Sequence, residues 1–126
     1  MAKLIEMDEN VTLKDQMENE ASGPVILINK FNVKSDEVEE FLKAWREDAT
    51  KFKDQPGLIS AQLHQGMGKS TVFINYAVWE SLNHFKNAVD KVMGPDPQSQ
   101  LSKYPESLVV SPHLFKKIAV PGVCGD

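Results

Sequence analysis

Hydrophobic and polar positions divide the chain into short patterned runs separated by turn residues. From 25 to 33, "VILINKFNV" places Val25, Leu27, Phe31 and Val33 on one side of an extended strand, with Asn29 as the polar exception on that side. Ser35 then offers a helix cap, with Asp36 and Glu37 in the first turn, where acids favour the helix dipole. Val38, Phe41, Leu42, Trp45, Ala49 and Phe52 recur at helical spacing until Gln55-Pro56-Gly57 ends the run. "LISAQLHQ", 58–65, alternates Ile59, Ala61 and Leu63 with Ser60, Gln62 and His64. A glycine turn leads to a second apolar strand over 71–79. Leu82, Phe85, Ala88, Val89 and Val92 give the stripe of a helix from about Ser81 to Met93, stopped by Gly94-Pro95. Asp96 to Pro105 reads as a polar connector, with room for a short helical turn. "HLFKKIAV", 113–120, reads as the last strand, ended by Pro121-Gly122.

The order β-α-β-β-α-β predicts an α+β ferredoxin-like fold, a four-stranded antiparallel sheet with two helices on one face. The opposite face of that sheet also carries apolar side chains, at Ile26, Ile28, Val72, Ile74, Tyr76 and Val78. A surface of that kind needs a cover, and a second copy of the chain is the economical one. The pattern therefore predicts a homodimer packed sheet to sheet. Residues 1–23 lack a clear period and read as an extension, mobile or docked on a partner. Residues 24–121 form the domain, and 122–126 a tail.

Charge sharpens this division. Residues 1–22 hold six acids and two lysines, a net −4, and the remaining residues hold 12 acids and 12 bases. A neutral body gives no electrostatic footprint for nucleic acid, and no basic amphipathic helix points to a membrane surface. The N-terminus lacks a signal-peptide pattern, and the one cysteine, Cys124, has no partner for an internal disulfide or a metal site. A reducing, cytoplasmic setting is expected. Gly68-Lys69-Ser70 copies the end of a phosphate-binding loop, but the required glycine five residues before Gly68 is Leu63. The residues after Ser70 are strand-forming rather than helical. A hairpin turn with Lys69 in solvent accounts for the triplet.

The stretch "GLISAQLHQG", then "TVFINYAVWES", a Phe six residues after the Trp, and the closing "SPHLFKKIAV" resemble the antibiotic biosynthesis monooxygenase family over roughly residues 25–120. The resemblance implies a dimeric α/β barrel. It also implies oxidation of a small aromatic, quinol or polyketide-type substrate by molecular oxygen, with no metal, flavin or haem. In such enzymes an Asn and a Trp four residues later line the pocket. Those positions here are Asn75 and Trp79, the implied catalytic pair. The even spacing sets them on one strand face with Phe73 and Ala77, beside Asn29. Asn29, Phe73, Phe85, Trp45 and His64 are the expected substrate-contacting residues. The chain departs from the family pattern in two places. Phe85 stands where the family has a Tyr, and "GPDPQSQLSK" supplies no Arg. Ala88 and the lack of a His around Gln98 exclude the pattern of the haem-degrading relatives.

Each candidate also has a plain structural reading. Trp79, Trp45 and Phe85 suit a core. A buried Asn75 or Asn29 needs a hydrogen-bond partner, from the chain or from a ligand. His64 suits solvent or a dimer interface, His84 the surface, and His113 a structural hydrogen bond. Two functions are consistent with these residues: a cofactor-free monooxygenase, or a non-catalytic dimer that binds a small apolar ligand. A third, a protein-interaction dimer, would use the acidic extension.

Overall fold

A computed structural model describes residues 1–19 and 22–125. It contains β1 (Lys3–Leu4), α1 (Leu13–Met17), β2 (Val25–Asn32), α2 (Val38–Phe52), β3 (Leu58–Gln65), β4 (Val72–Trp79), α3 (Leu82–Met93), α4 (Pro97–Gln100) and β5 (Val109–Phe115). One sheet holds the strands in the order β1-β5-β2-β4-β3. Strands β2 to β5 pair antiparallel as the ferredoxin-like order requires, while β1 runs parallel to β5. Among the described residues no helix is long and apolar enough to cross a membrane.

The sheet therefore has five strands where four were expected. Residues 1–19 lie on their own domain: Lys3 donates to the Leu108 carbonyl at 2.9 Å and Ile5 to the Val110 carbonyl at 2.9 Å. Thr12 and Asp15 form a capping box that starts α1. Leu13 and Met17 then pack against the core.

The last strand is shifted from its expected place. It spans Val109–Phe115, and residues 116–120 leave the sheet. Pro112 is the reason, since a proline looks like a strand boundary. Within β5 the backbone groups of Val110 and Leu114 point away from β2, toward Ile5 and Gln16. Pro112 shares their phase, so its missing N–H falls on that outer edge and breaks no bond with β2.

Helix starts obey local chemistry. Ser81 caps α3 through the His84 amide at 3.1 Å, at the start expected for that helix. Ser35 instead enters a short 3₁₀ turn, Ser35–Glu37, and makes no side-chain cap. The Gly68-Lys69-Ser70 triplet lies in the β3–β4 hairpin turn, with Gly68 at φ 73°, a conformation glycine adopts without strain.

Two apolar clusters fill the space under the helices. One gathers Phe31, Phe73 and Val110 of the sheet with Phe41 of α2 and Leu108. The other gathers Val25, Ala77, Trp79 and Leu114 with Leu82, Phe85 and Ala88. On the opposite face Tyr76 and Phe115 are each 38% exposed, so apolar surface remains in water on the single chain.

Candidate functional site

The two clusters are separated by one rung of the sheet. In the register, Asn29 pairs with Asn75, Asn29 also with Pro112, and Asn75 also with Leu63. Phe31 and Phe73 lie one rung to one side, Leu27 and Ala77 one rung to the other. A polar floor thus interrupts an otherwise apolar face directly beneath the helices.

Both asparagine side chains are half-buried, and neither makes a hydrogen bond among the described residues. Their Oδ1 atoms are fully buried and unpartnered, as is Nε1 of Trp79. A buried carbonyl without a donor costs about 1–3 kcal/mol. Three such atoms lie on one sheet face, within four residues of one another on β4 and directly across on β2, and the described residues leave all three unpaired.

Trp79 is 2% exposed and stands between two rings, with Phe52 edge-on at 6.4 Å and Phe85 edge-on at 5.8 Å. Its ring is therefore core, while its N–H is left over. Phe73 is buried against Phe41 at 5.1 Å. Trp45 of α2 leans on the same cluster. Asn29, Asn75 and Trp79 share the helix side of the sheet, flanked by Phe73 and Phe85. His64 does not join them. It pairs with Ile74 on the other face and is exposed, because each step along a strand reverses the side-chain direction. Its expected substrate contact is thus corrected for the single chain. His113 also lies inside β5 on that other face, not ahead of the strand.

Sequence reasoning passed over Asp48. It lies seven residues after Phe41, three after Trp45 and four before Phe52, in the middle of the stripe that α2 turns to the sheet. Its carboxylate accepts from the Tyr104 hydroxyl at 2.5 Å and pairs with Lys103 Nζ. Burial, reinforced by Asp48 beside it, pushes the Tyr104 hydroxyl well above the usual tyrosine range, so it stays protonated. An acid in a helix's apolar stripe was the available signal. The group ties the 101–104 turn to α2, and Tyr104 packs toward Phe41 at 6.1 Å.

A family model described as "Antibiotic biosynthesis monooxygenase" matches residues 24–91. The chain belongs to the antibiotic biosynthesis monooxygenase family. A candidate monooxygenase from Shewanella loihica PV-4 is 34% identical, aligned over 80% of this chain and 100% of its own, with a TM-score of 0.65. SnoaB, a cofactor-independent oxygenase from Streptomyces nogalater, is 22% identical over 80% of this chain and 99% of its own, at TM-score 0.64. A candidate antibiotic biosynthesis monooxygenase from Caulobacter crescentus CB15 is 16% identical over 78% and 92%, at TM-score 0.61. The last two show likeness of fold alone. No curated protein matches the chain. The family match begins at Pro24 and so takes in the asparagine rung and Trp79. It leaves out β1, α1, Tyr104 and β5.

Proposed function

We propose that this family member binds a hydroxylated aromatic, a quinol or polyketide-type phenol, between sheet and helices and oxygenates it with molecular oxygen without a cofactor. The observation that carries the reading is the pair of unpartnered carbonyl oxygens on Asn29 and Asn75 beside the unpartnered Trp79 N–H. Carbonyl oxygens without donors favour a ligand that brings O–H groups. Trp79 N–H suits an acceptor on the same ligand, such as a quinone or ketone oxygen. The flanking Phe73, Phe85 and Trp45 suit an aromatic ring.

The chemistry needs little from the protein. The phenol loses its proton to solvent, and the phenolate passes one electron to oxygen. The resulting aryloxyl radical and superoxide couple at ring carbon as a peroxide. Loss of water leaves a new carbonyl, so phenol plus oxygen gives quinone plus water. An Asn amide turned about its terminal torsion presents NH₂ to the phenolate oxygen, and a donor so placed stabilises developing charge. The working assembly in this reading is a homodimer through the Ile26, Ile28, Ile74 and Tyr76 face.

A second reading, a dimer that binds such a ligand without turning it over, draws on a separate observation. Phe85 has no proton to give, and both Asp48 oxygens are engaged by Tyr104 and Lys103. Oxygen uptake with a panel of hydroquinones and hydroxylated polycyclic phenols tests the pair. Turnover that falls about 10²–10³-fold in Asn75→Ala, with the fold retained, supports oxygenation. Saturable binding to the wild type with no oxygen consumed for any compound supports the second reading. Neither binding nor turnover sinks both.

A further inference from the structure

Residues 5–19 precede the segment that the family model matches, and they take a defined path. After β1, Glu6 to Asn10 border a groove on the outer face together with His113 and Phe115. The chain then rounds the free edge of β5. On the helix side, Leu13 and Met17 of α1 pack on the cluster that contains Trp79. A helix of five residues does not persist in water unaided. Its order rests on the Thr12–Asp15 capping box, on the Glu6 carboxylate accepting from Leu13 N–H at 2.7 Å, and on Gln16.

Gln16 holds the edge of β5 as another strand would. Its Oε1 accepts from Leu114 N–H at 3.0 Å, which fixes the orientation of the amide. Its NH₂ group donates to the Leu114 carbonyl at 2.9 Å and meets His113 Nε2 at 3.1 Å. Nε2 must then be the acceptor, a bare lone pair, and the ring hydrogen sits on Nδ1, which is buried without a partner. A second proton on the ring would turn N–H against NH₂ and remove that bond.

We propose that residues 5–19 form a movable wall at the Trp79 end of the site, that Gln16 is its positioning residue, and that neutral His113 latches it while protonated His113 releases it. The wall's effect on a ligand rests on the reading under Proposed function; the latch does not. The charged groups facing His113 are Glu6, Asp8 and Glu9 across the groove, with Lys30 one rung away beside its cross-strand neighbour Ile28. All four are kept in the variants used.

The test is amide hydrogen exchange on the full chain, corrected for intrinsic rates, between about pH 8 and about pH 5. In the wild type, protection of residues 11–17 should drop on the order of tenfold on acidification, the worth of about one hydrogen bond. His113→Phe should remove the pH response. Gln16→Glu should invert it, because a carboxylate faces a lone pair at high pH and pairs with the imidazolium at low pH. Equal protection across the range in the wild type, or one profile shared by all three proteins, would overturn the latch. The wall is read separately, from hydroquinone dissociation at about pH 8. Release at least tenfold faster in Gln16→Ala supports it, and an unchanged rate overturns it. Failure of the wild type to bind any hydroquinone overturns the site reading and the wall together, while the exchange data still decide the latch.

Discussion

Replacing Asn75 by Val should stabilise the free protein while removing ligand binding. The Oδ1 of Asn75 is buried and has no donor, and the same holds for Asn29 across the rung. Each such acceptor costs about 1–3 kcal/mol, and removing it breaks no side-chain hydrogen bond among the described residues. Val is close to Asn in size and fits a pleated strand better, a difference of up to about 1 kcal/mol. Asn75→Val should therefore raise stability by about 1–3 kcal/mol. For a chain of this length that corresponds to a rise in Tm of roughly 4 °C per kcal/mol. Urea melts give the free energy, and a shift in midpoint at constant slope would show that stability alone changed. Asn29→Val should act in the same direction. The double variant should gain less or more than the sum, because the two residues share one rung. Ligand-induced stabilisation by a hydroquinone, expected of the wild type under the proposed function, should vanish in both. If Asn75→Val lowers stability by more than about 1 kcal/mol, the carbonyl has a structural partner and the ligand-site argument is wrong. A variant that is more stable yet binds ligand normally would also refute it.

The other expectations concern the buried tyrosine and the exposed face. Tyr104→Phe removes a hydrogen bond to a carboxylate and should cost about 1.5–3 kcal/mol near neutral pH. Because folding raises the Tyr104 pKa above the ordinary 10.0, its contribution is fully present below that value and is lost as pH rises beyond it. Urea melts at about pH 8 and about pH 11 should show this alkaline loss in the wild type and a smaller one in Tyr104→Phe; parallel curves would count against it. Ile74→Asp places a charge on the half-covered outer face, and light scattering should find monomer or aggregate in place of the proposed dimer. A wild type that is monomeric at micromolar concentration would end the dimer proposal.

Periodicity made most of the fold legible. The runs around Phe31, Trp45, Phe73 and Phe85 each have a single period and a clean stop, and the observed elements fall within a residue or two of the predicted ones. Two segments escape such a reading for different reasons. The strand at 109–115 is carried by "VVSPHLF", whose proline is harmless only because its phase faces the sheet edge, and phase relative to a neighbour is not a local property. The N-terminal residues lack a hydrophobic period because β1 is two residues long and α1 five, too short to repeat anything. What orders them is a set of long-range bonds, such as Gln16 to Leu114 across 98 positions, and no window of sequence contains both partners.

The site was half legible, and the half that was missed obeys one rule. Asn29 and Asn75 could be found because each is a polar residue on an apolar strand face, the place where a polar group is most costly and so most in need of a reason. The same test applies to a helix. Asp48 lies midway in the stripe from Phe41 to Phe52, and a stripe read only for its apolar members steps past it to Ala49. The two exceptions differ in how the protein treats them. Asp48 is answered within the chain, by a hydroxyl held protonated and by an ammonium. The asparagine carbonyls are not answered among the described residues. A fold that satisfies a half-buried carboxylate on its helix and leaves two amide oxygens and an indole N–H unpaired on the helix side of the sheet is not short of the means to pair polar groups. The unpaired atoms are therefore better read as groups reserved for a ligand than as errors of packing, and it is this contrast, more than the presence of any one residue, that directs the search to a small hydroxylated molecule.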